Sequence, residues 1–439
     1  MQEKHTLNSS DNIRQIFGRL QAKSLAKKIG ATQRKSRKFT VVDIIISYWQ
    51  LISTGEFSYD KWSMQLGLLV NNTISGQAVW KRINPKIVEL LKLLLHKSFK
   101  QEYSRFMDSS LFSFFPNVYI QDATHFKLPP LMASLFPGSY SRFGKSSTAK
   151  IQAVFNLKKG LFSDFKLTSF TDNDQNDSNR ITQALKSGDL VIRDLGYFVI
   201  KVFSNISKQG AFYLSRFRYG VNIYDKKTLE PIKLQNLLKK NNDMIDIWVK
   251  IGSKELLDCR LVAIAVSPDV ANERRRKAKQ DRNKKANHSK EYLDLLGYTF
   301  FITNIPENIW SVQQIEKAYR SRWYIEILFK GWKSHLKVTL LIPERYINQI
   351  RVEFFFYASL LMVNLLVMPL FLKAQKWKKT KSIQNISILK TCAFISQNIK
   401  LLTLEKNWLY LISYIQYSCV YEKRKSRINS IQLIMNFDP

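Results

Sequence analysis

The sequence predicts an α/β chain, with a core of strands and helices (115–203 and 306–372) interrupted by a β-rich insertion (204–305) and flanked by helical regions (1–100 and 373–439). Three observations predict it. Two short apolar, strand-like stretches, 117–121 and 190–193, each run into an aspartate, Asp122 and Asp194. From 318 to 337 the apolar residues Ala318, Ile325, Phe329, Trp332 and Leu336 recur at helical spacing, beside a polar line of Tyr319, Arg322, Glu326, Lys330, Lys333 and Lys337. Between these regions lie four strand-like pieces, 211–217, 244–251, 257–266 and 298–303.

Taken in order, 1–100 reads as helical. The apolar run 39–51 follows Arg34, Lys35, Arg37 and Lys38, and Ile87, Leu90, Leu91 and Leu94 repeat at helical spacing. Between them, 58–69 and 75–83 around Asn71-Asn72 form either a plain helical hairpin or a helix-turn-helix whose second helix offers Gln77, Trp80, Lys81 and Arg82. Val118 and Ile120 alternate with Tyr119 and Gln121 in a strand that places Asp122 at its edge, before Pro129-Pro130 ends regular structure. A hairpin follows, 149–155 and 161–170 about Lys158-Lys-Gly160. The acidic run 172–177 lacks the glycine and closing glutamate of a calcium loop, and Asp177 or Ser178 instead caps a helix through Ile181 and Leu185 to Lys186. Residues 190–198 form a strand turning at Gly196, and Asp194 matches Asp122 in position if the two strands are parallel neighbours. The basic run 273–290, with Arg274, Arg275, Arg276, Lys277, Lys279, Arg282, Lys284 and Lys285, is either a solvated helix or loop or a phosphate-contacting arm.

At 45% hydrophobic and 13% aromatic, the composition excludes a disordered chain. The formal charge of +35, from 69 Lys and Arg against 34 Asp and Glu, favours a polyanionic partner, nucleic acid before an anionic membrane surface. Cys259, Cys392 and Cys419 are too dispersed for a metal motif or disulfide framework, so a reducing intracellular compartment is expected. The polar opening Met1-Gln-Glu-Lys-His leads into no signal-peptide core. Residues 354–372 approach the roughly 20-residue length of a membrane span, but Asn364 and Pro369 make a buried core helix the expectation.

The spacing Tyr319, Arg322, Glu326, Lys333, set in Tyr-Arg-x-Arg-Trp-x-Ile-Glu followed by Phe-Lys, resembles the Tyr-Arg-Glu-Lys signature of DDE-type insertion-sequence transposases. Asp122-Ala-Thr and Asp194-Leu-Gly-Tyr-Phe resemble the two aspartate motifs of that group, and strand, hairpin, helix, strand is the order of a ribonuclease-H-like fold. The resemblance implies that Asp122, Asp194 and Glu326 are catalytic and hold two Mg²⁺ ions, with Mn²⁺ a possible substitute. It implies DNA contacts by Tyr319, Arg322, Lys330 and Lys333. The insertion's Arg274, Arg275 and Arg276 are further DNA-contact candidates, and 1–100 is a DNA-binding domain in this reading. Tyr298 stands nearest to the place where the group carries a tryptophan for a flipped base. The implied activity is cut-and-paste transposition in a bacterial cytoplasm, close to the nucleoid. The implied partners are double-stranded DNA, as terminal inverted repeats and target, and a second copy of the chain. A nuclease of the same fold without joining activity and a catalytically inactive DNA-binding derivative are the alternatives.

Overall fold

The structure, a computed structural model, describes residues 12–32, 38–100, 109–141, 144–240, 244–281, 289–338, 342, 347–378, 386–404 and 408–421. Its strands are β1 (Val118–Leu128), β2 (Pro137–Ser141), β3 (Gly144–Asn156), β4 (Leu161–Ser169) and β5 (Leu190–Arg193), then β6 (Phe212–Arg216), β7 (Ile223–Asp225), β8 (Met244–Ile251), β9 (Leu257–Ala265) and β10 (Tyr298–Thr303). The chain divides into two compact units. The first draws its residues from 1–108, 123–173 and 323–432, and the second from 109–122 and 174–322.

The second unit is a mixed sheet in the order β1-β5-β6-β10-β9-β8-β7. The first half of β1 pairs parallel to β5 from Val118↔Leu190 to Gln121↔Arg193, and β5 pairs parallel to β6. From there the sheet turns antiparallel through β10, β9, β8 and β7. Leu190, Val191 and Ile192 form the continuous apolar run of a strand covered on both faces. Helix Ile200–Lys208 lays Val202, Phe203 and Ile206 against Tyr213, Cys259, Leu261 and Ile302. The four strand-like pieces expected between 211 and 303 are thus β6, β8, β9 and β10 of the sheet that contains β5.

Two sequence expectations change here. The helix expected from Asp177 to Lys186 is a short turn of helix, Asp174–Asp177, followed by a 3-10 turn, Ser178–Gln183. Side chains compete with helical bonding in this segment: Asp177 receives the Arg180 guanidinium at 2.9 Å, and Ser178 Oγ donates to the Tyr197 carbonyl at 3.0 Å. Also, β1 does not end at Asp122 but runs on to Leu128, because Thr124, Phe126 and Leu128 continue the buried alternation.

The first unit is mainly helical. Thr40 and Asp43 form a capping box on helix Val41–Gln50. Helices Tyr59–Val70 and Gly76–Arg82 start at Ser58 and Ser75, whose hydroxyls accept from Lys61 N and Ala78 N, and the first of them ends at the left-handed Asn71. A Cβ on Gly76 would lie 2.7 Å from Asp60 Oδ1, so glycine there permits the close approach of the two helices. Gln77 and Lys81 face solvent, while the Trp80 ring carries the Arg351 guanidinium 4.6 Å from its centroid. Helix Gln349–Met362 continues through a π-helical turn, Val363–Val367, into Met368–Lys378. Pro369 comes just after that widened turn; in a regular helix its ring would clash with the Leu365 carbonyl, which its missing N–H would also leave without a donor. Its apolar window is 94% buried, and Asn364 donates to Ser98 Oγ at 2.8 Å, which makes it the core helix of this unit. β3 and β4 form the expected hairpin, joined by β2, which the sequence reading did not contain. Arg34, Lys35, Arg37, Arg282, Lys284 and Lys285 lie outside the described residues.

Candidate active site

The last paired rung of β1 and β5 is Gln121↔Arg193, so Asp122 and Asp194 are the next residues of two parallel neighbours, on strands about 4.8 Å apart. They share one face because side chains alternate along both strands. The carboxyl end of adjacent parallel strands is where open α/β sheets place ligands. After Asp194 the chain turns sharply, with Tyr197 N donating to the Asp194 carbonyl at 3.0 Å. A Cβ on Gly196 would sit 3.4 Å from Asp174 Oδ2 and 4.0 Å from Asp194 Oδ2, in ordinary contact with both carboxylates.

Arg322 ties the pair together. Its Nη1 lies 3.0 Å from Asp122 Oδ2 and its Nε 3.7 Å from Asp194 Oδ1; the side chains of Arg322, Asp122 and Asp194 are 10%, 15% and 41% exposed. The single helix expected over 318–337 is broken at this point. Helix Val312–Arg320, opened by a Ser311/Gln314 capping box, stops at Ser321, whose hydroxyl donates to the Ala318 carbonyl at 2.6 Å; a second helix begins at Trp323. Apolar spacing continues across the break, which is why periodicity alone does not reveal it. Arg322 lies in the tight turn between the two helices, its N–H donating to the Tyr319 carbonyl at 3.1 Å. Tyr319, one turn earlier, packs its ring 5.1 Å from Phe301 and lies 5.9 Å beneath the Arg322 guanidinium. Burial pushes its hydroxyl's pKa well up, with the neighbouring Arg322 charge opposing.

Asp122, Asp194, Tyr319 and Arg322 therefore belong to the second unit, whereas Glu326, Lys330 and Lys333 lie on helix Trp323–Ser334 of the first. Glu326 is half-buried in the first turn of that helix, and Lys330 is exposed. Lys333 Nζ sits 5.4 Å from the Phe126 ring centroid, where desolvation lowers its pKa.

The remaining candidates are more committed to the fold. Arg274 donates to the carbonyls of Leu296 and Tyr298 and to Thr299 Oγ1, and Arg275 to the Leu293 carbonyl. Arg276 forks onto Glu273 with two bonds of 2.8 Å. Tyr298 is half-buried on β10 and lines a pocket of about 450 Å³ with Tyr219, Tyr292, Arg216, Arg274 and Lys277. Sequence reasoning missed Arg193 and Gln121, both wholly buried beside the aspartates. The available signal was a guanidinium inside the otherwise apolar strand Leu190-Val-Ile. Among the described residues, no three His, Cys, Asp or Glu side chains gather as a metal cluster. The Asp122–Asp194 pair supplies hard oxygen donors of the kind that suit Mg²⁺ or Mn²⁺.

Residues 113–365, more than half of the chain, match the family described as "Transposase DDE domain". The chain is 28% identical over 400 residues to the transposase of insertion sequence element IS231B from Bacillus thuringiensis subsp. berliner, covering 86% of this chain and 82% of that protein. It is 26% identical over 353 residues to the IS1151 transposase of Clostridium perfringens, covering 75% and 74%. A piggyBac transposase synaptic complex with hairpin DNA aligns at a TM-score of 0.45 and 9% identity, over 93% of this chain and 84% of that one. With paired aspartates at adjacent strand ends inside the matched region, the chain belongs to the DDE-domain transposases.

Proposed function

We propose that this protein is a cut-and-paste DNA transposase with a ribonuclease-H-like catalytic core. It binds the terminal inverted repeats of its insertion sequence, hydrolyses the phosphodiester at each end and joins the freed 3′-hydroxyl to target DNA. The observation that carries this reading is the placement of Asp122 and Asp194 side by side beyond the last rung of two parallel strands. Glu326 completes the acidic set, in the spacing of the Tyr-Arg-Glu-Lys signature.

Asp122, Asp194 and Glu326 would hold divalent metal, Mg²⁺ or Mn²⁺. Such ions supply activation of the attacking oxygen and neutralisation of charge on the leaving one. The protein's own cations position the substrate. Arg322, rigid and forked, suits a phosphate, and on DNA binding its guanidinium exchanges carboxylate for phosphate oxygens. Lys330 and Lys333 extend the same role along the second motif helix, and Tyr319 props Arg322 from below. Tyr298, with Tyr219 and Tyr292 in its pocket, offers an aromatic face for an extruded base, flanked by Arg216, Arg274 and Lys277 for its phosphate. Helices Tyr59–Val70 and Gly76–Arg82, with exposed Gln77 and Lys81, are proposed to read DNA as a helix-turn-helix. The protein would work in the bacterial cytoplasm, on nucleoid DNA, as a pair of copies bridging two ends.

The test is a cleavage and joining assay on DNA carrying the element's ends, with Mg²⁺ or Mn²⁺. Asp122→Ala, Asp194→Ala and Glu326→Ala are each expected to lose cleavage by at least about 10³-fold while end binding persists. A variant that cuts normally removes its carboxylate from the mechanism. Cleavage without joining of pre-cut ends would identify a nuclease instead.

A further inference from the structure

Gln121 and Arg193, the final rung of the β1/β5 ladder, immediately precede Asp122 and Asp194 and project to the opposite face of the sheet. Both are wholly buried. Arg193 Nη2 donates to Gln121 Oε1 at 2.8 Å, to the Ser178 carbonyl at 2.6 Å and to Ser178 Oγ at 2.7 Å. Gln121 Nε2 donates to the Asp177 carbonyl at 3.2 Å. Ser178 Oγ in turn donates to the Tyr197 carbonyl, in the turn that follows Asp194. The guanidinium lies over the Tyr197 and Phe203 rings, 5.5 and 5.7 Å from their centroids. One side chain thus joins both aspartate-bearing strands and the turn that follows the second.

A buried guanidinium carries a desolvation cost that an aliphatic rung would not. Its hydrogen bonds are directional, so they fix the relative height of the two strands more sharply than apolar packing does. We propose that Arg193, together with Gln121, is a positioning residue that sets the spacing of the Asp122 and Asp194 carboxylates for a divalent cation. The proposal rests on the reading of those aspartates as metal ligands. Partners behind the ligands of a metal commonly change its affinity by about 10- to 100-fold when removed.

The experiment uses the full chain. Mn²⁺ binding is titrated by electron paramagnetic resonance in Arg193→Lys, Gln121→Leu and Asp122→Asn, and each variant's metal-free thermal midpoint is measured beside it. Arg193→Lys keeps the charge and loses the fork. Its Mn²⁺ Kd is expected to rise about 10- to 100-fold, and that of Gln121→Leu by a smaller factor in the same direction. A lowered midpoint with unchanged Kd in both variants overturns the proposal and leaves a purely structural role. Should Arg193→Lys fail to fold, Gln121→Leu, which removes one acceptor for Arg193 and one donor to the Asp177 carbonyl, decides alone. Asp122→Asn separates the two levels: if it binds Mn²⁺ like the wild type, the metal reading itself fails; if it loses binding while the rung variants keep theirs, only the positioning role fails.

Discussion

Arg322 and Arg276 both hold carboxylates at hydrogen-bonding distance within the same unit, yet they differ in what those bonds accomplish. Arg276 grips Glu273, three residues earlier on its own helix, with its side chain 58% exposed; water and salt screen such a pair, and it contributes little. Arg322 is largely buried and reaches Asp122, 200 residues away in sequence, and Asp194. The better fork belongs to the less consequential pair. A cation's meaning depends on whether folding or local spacing brought its partner, and on what else that partner could bind.

The sharpest way to break this comparison is Arg322→Ala. It should lower cleavage of end-bearing DNA by about 10²- to 10³-fold with the fold intact, and Arg322→Lys should recover only part, because an ammonium cannot fork. Wild-type cleavage by the alanine variant would reduce Arg322 to the standing of Arg276. A broader effect comes from the charge of +35. DNA affinity should fall by about 10³- to 10⁵-fold between about 50 and 200 mM salt, and a flat profile would deny extended phosphate contact. The smallest effect belongs to the surface pair. Arg276 and Lys277 hold the Glu273 carboxyl down at about 2, so whatever the pair contributes is complete above the ordinary carboxylate range and disappears as pH falls through about 2. An NMR titration should find the Glu273 midpoint below the ordinary carboxylate range, and Glu273→Gln should leave the thermal midpoint within about 1 °C. A larger shift would blur the distinction from Arg322.

Much of the candidate site was legible in the sequence because it rests on local signals. Strand alternation and a following aspartate locate Asp122 and Asp194, and Ser58, Asn71 and Ser75 mark the ends of two helices by their capping chemistry. What escaped depends on non-local bonding. The break at Ser321 hides under unbroken apolar spacing. The segment after Asp177 forms a 3-10 turn in place of the expected α-helix, and Arg180, Arg193 and Tyr197 engage its polar groups. The basic run reads as either a solvated helix or loop or a phosphate-contacting arm; Arg274 and Arg275 lie on a helix, Pro268–Lys279, and bond the carbonyls of Leu293, Leu296 and Tyr298, a role that composition cannot express. β1 outruns Asp122 because its alternation persists to Leu128, past the last residue that pairs with β5.

The first unit is assembled from separated stretches of chain, and this bears on how the protein is made. Tyr48 packs against Phe354 and Phe355, Trp49 donates to the Ala358 carbonyl, and Gln50 donates to Thr403. A ribosome therefore releases helix Val41–Gln50 some 300 residues before its partners emerge, a span of synthesis lasting roughly 15 to 60 s at bacterial rates. Through that interval the helix has only its near neighbours, Phe17 against Trp49 and Trp62 against Tyr48 and Ser47, and lacks its cover from Phe354, Phe355 and Ala358, while the β-sheet unit, nearly all of it encoded in between, can already close. A truncated product ending before residue 349 would lack the core helix of the first unit, so only nearly finished translation products could complete both units.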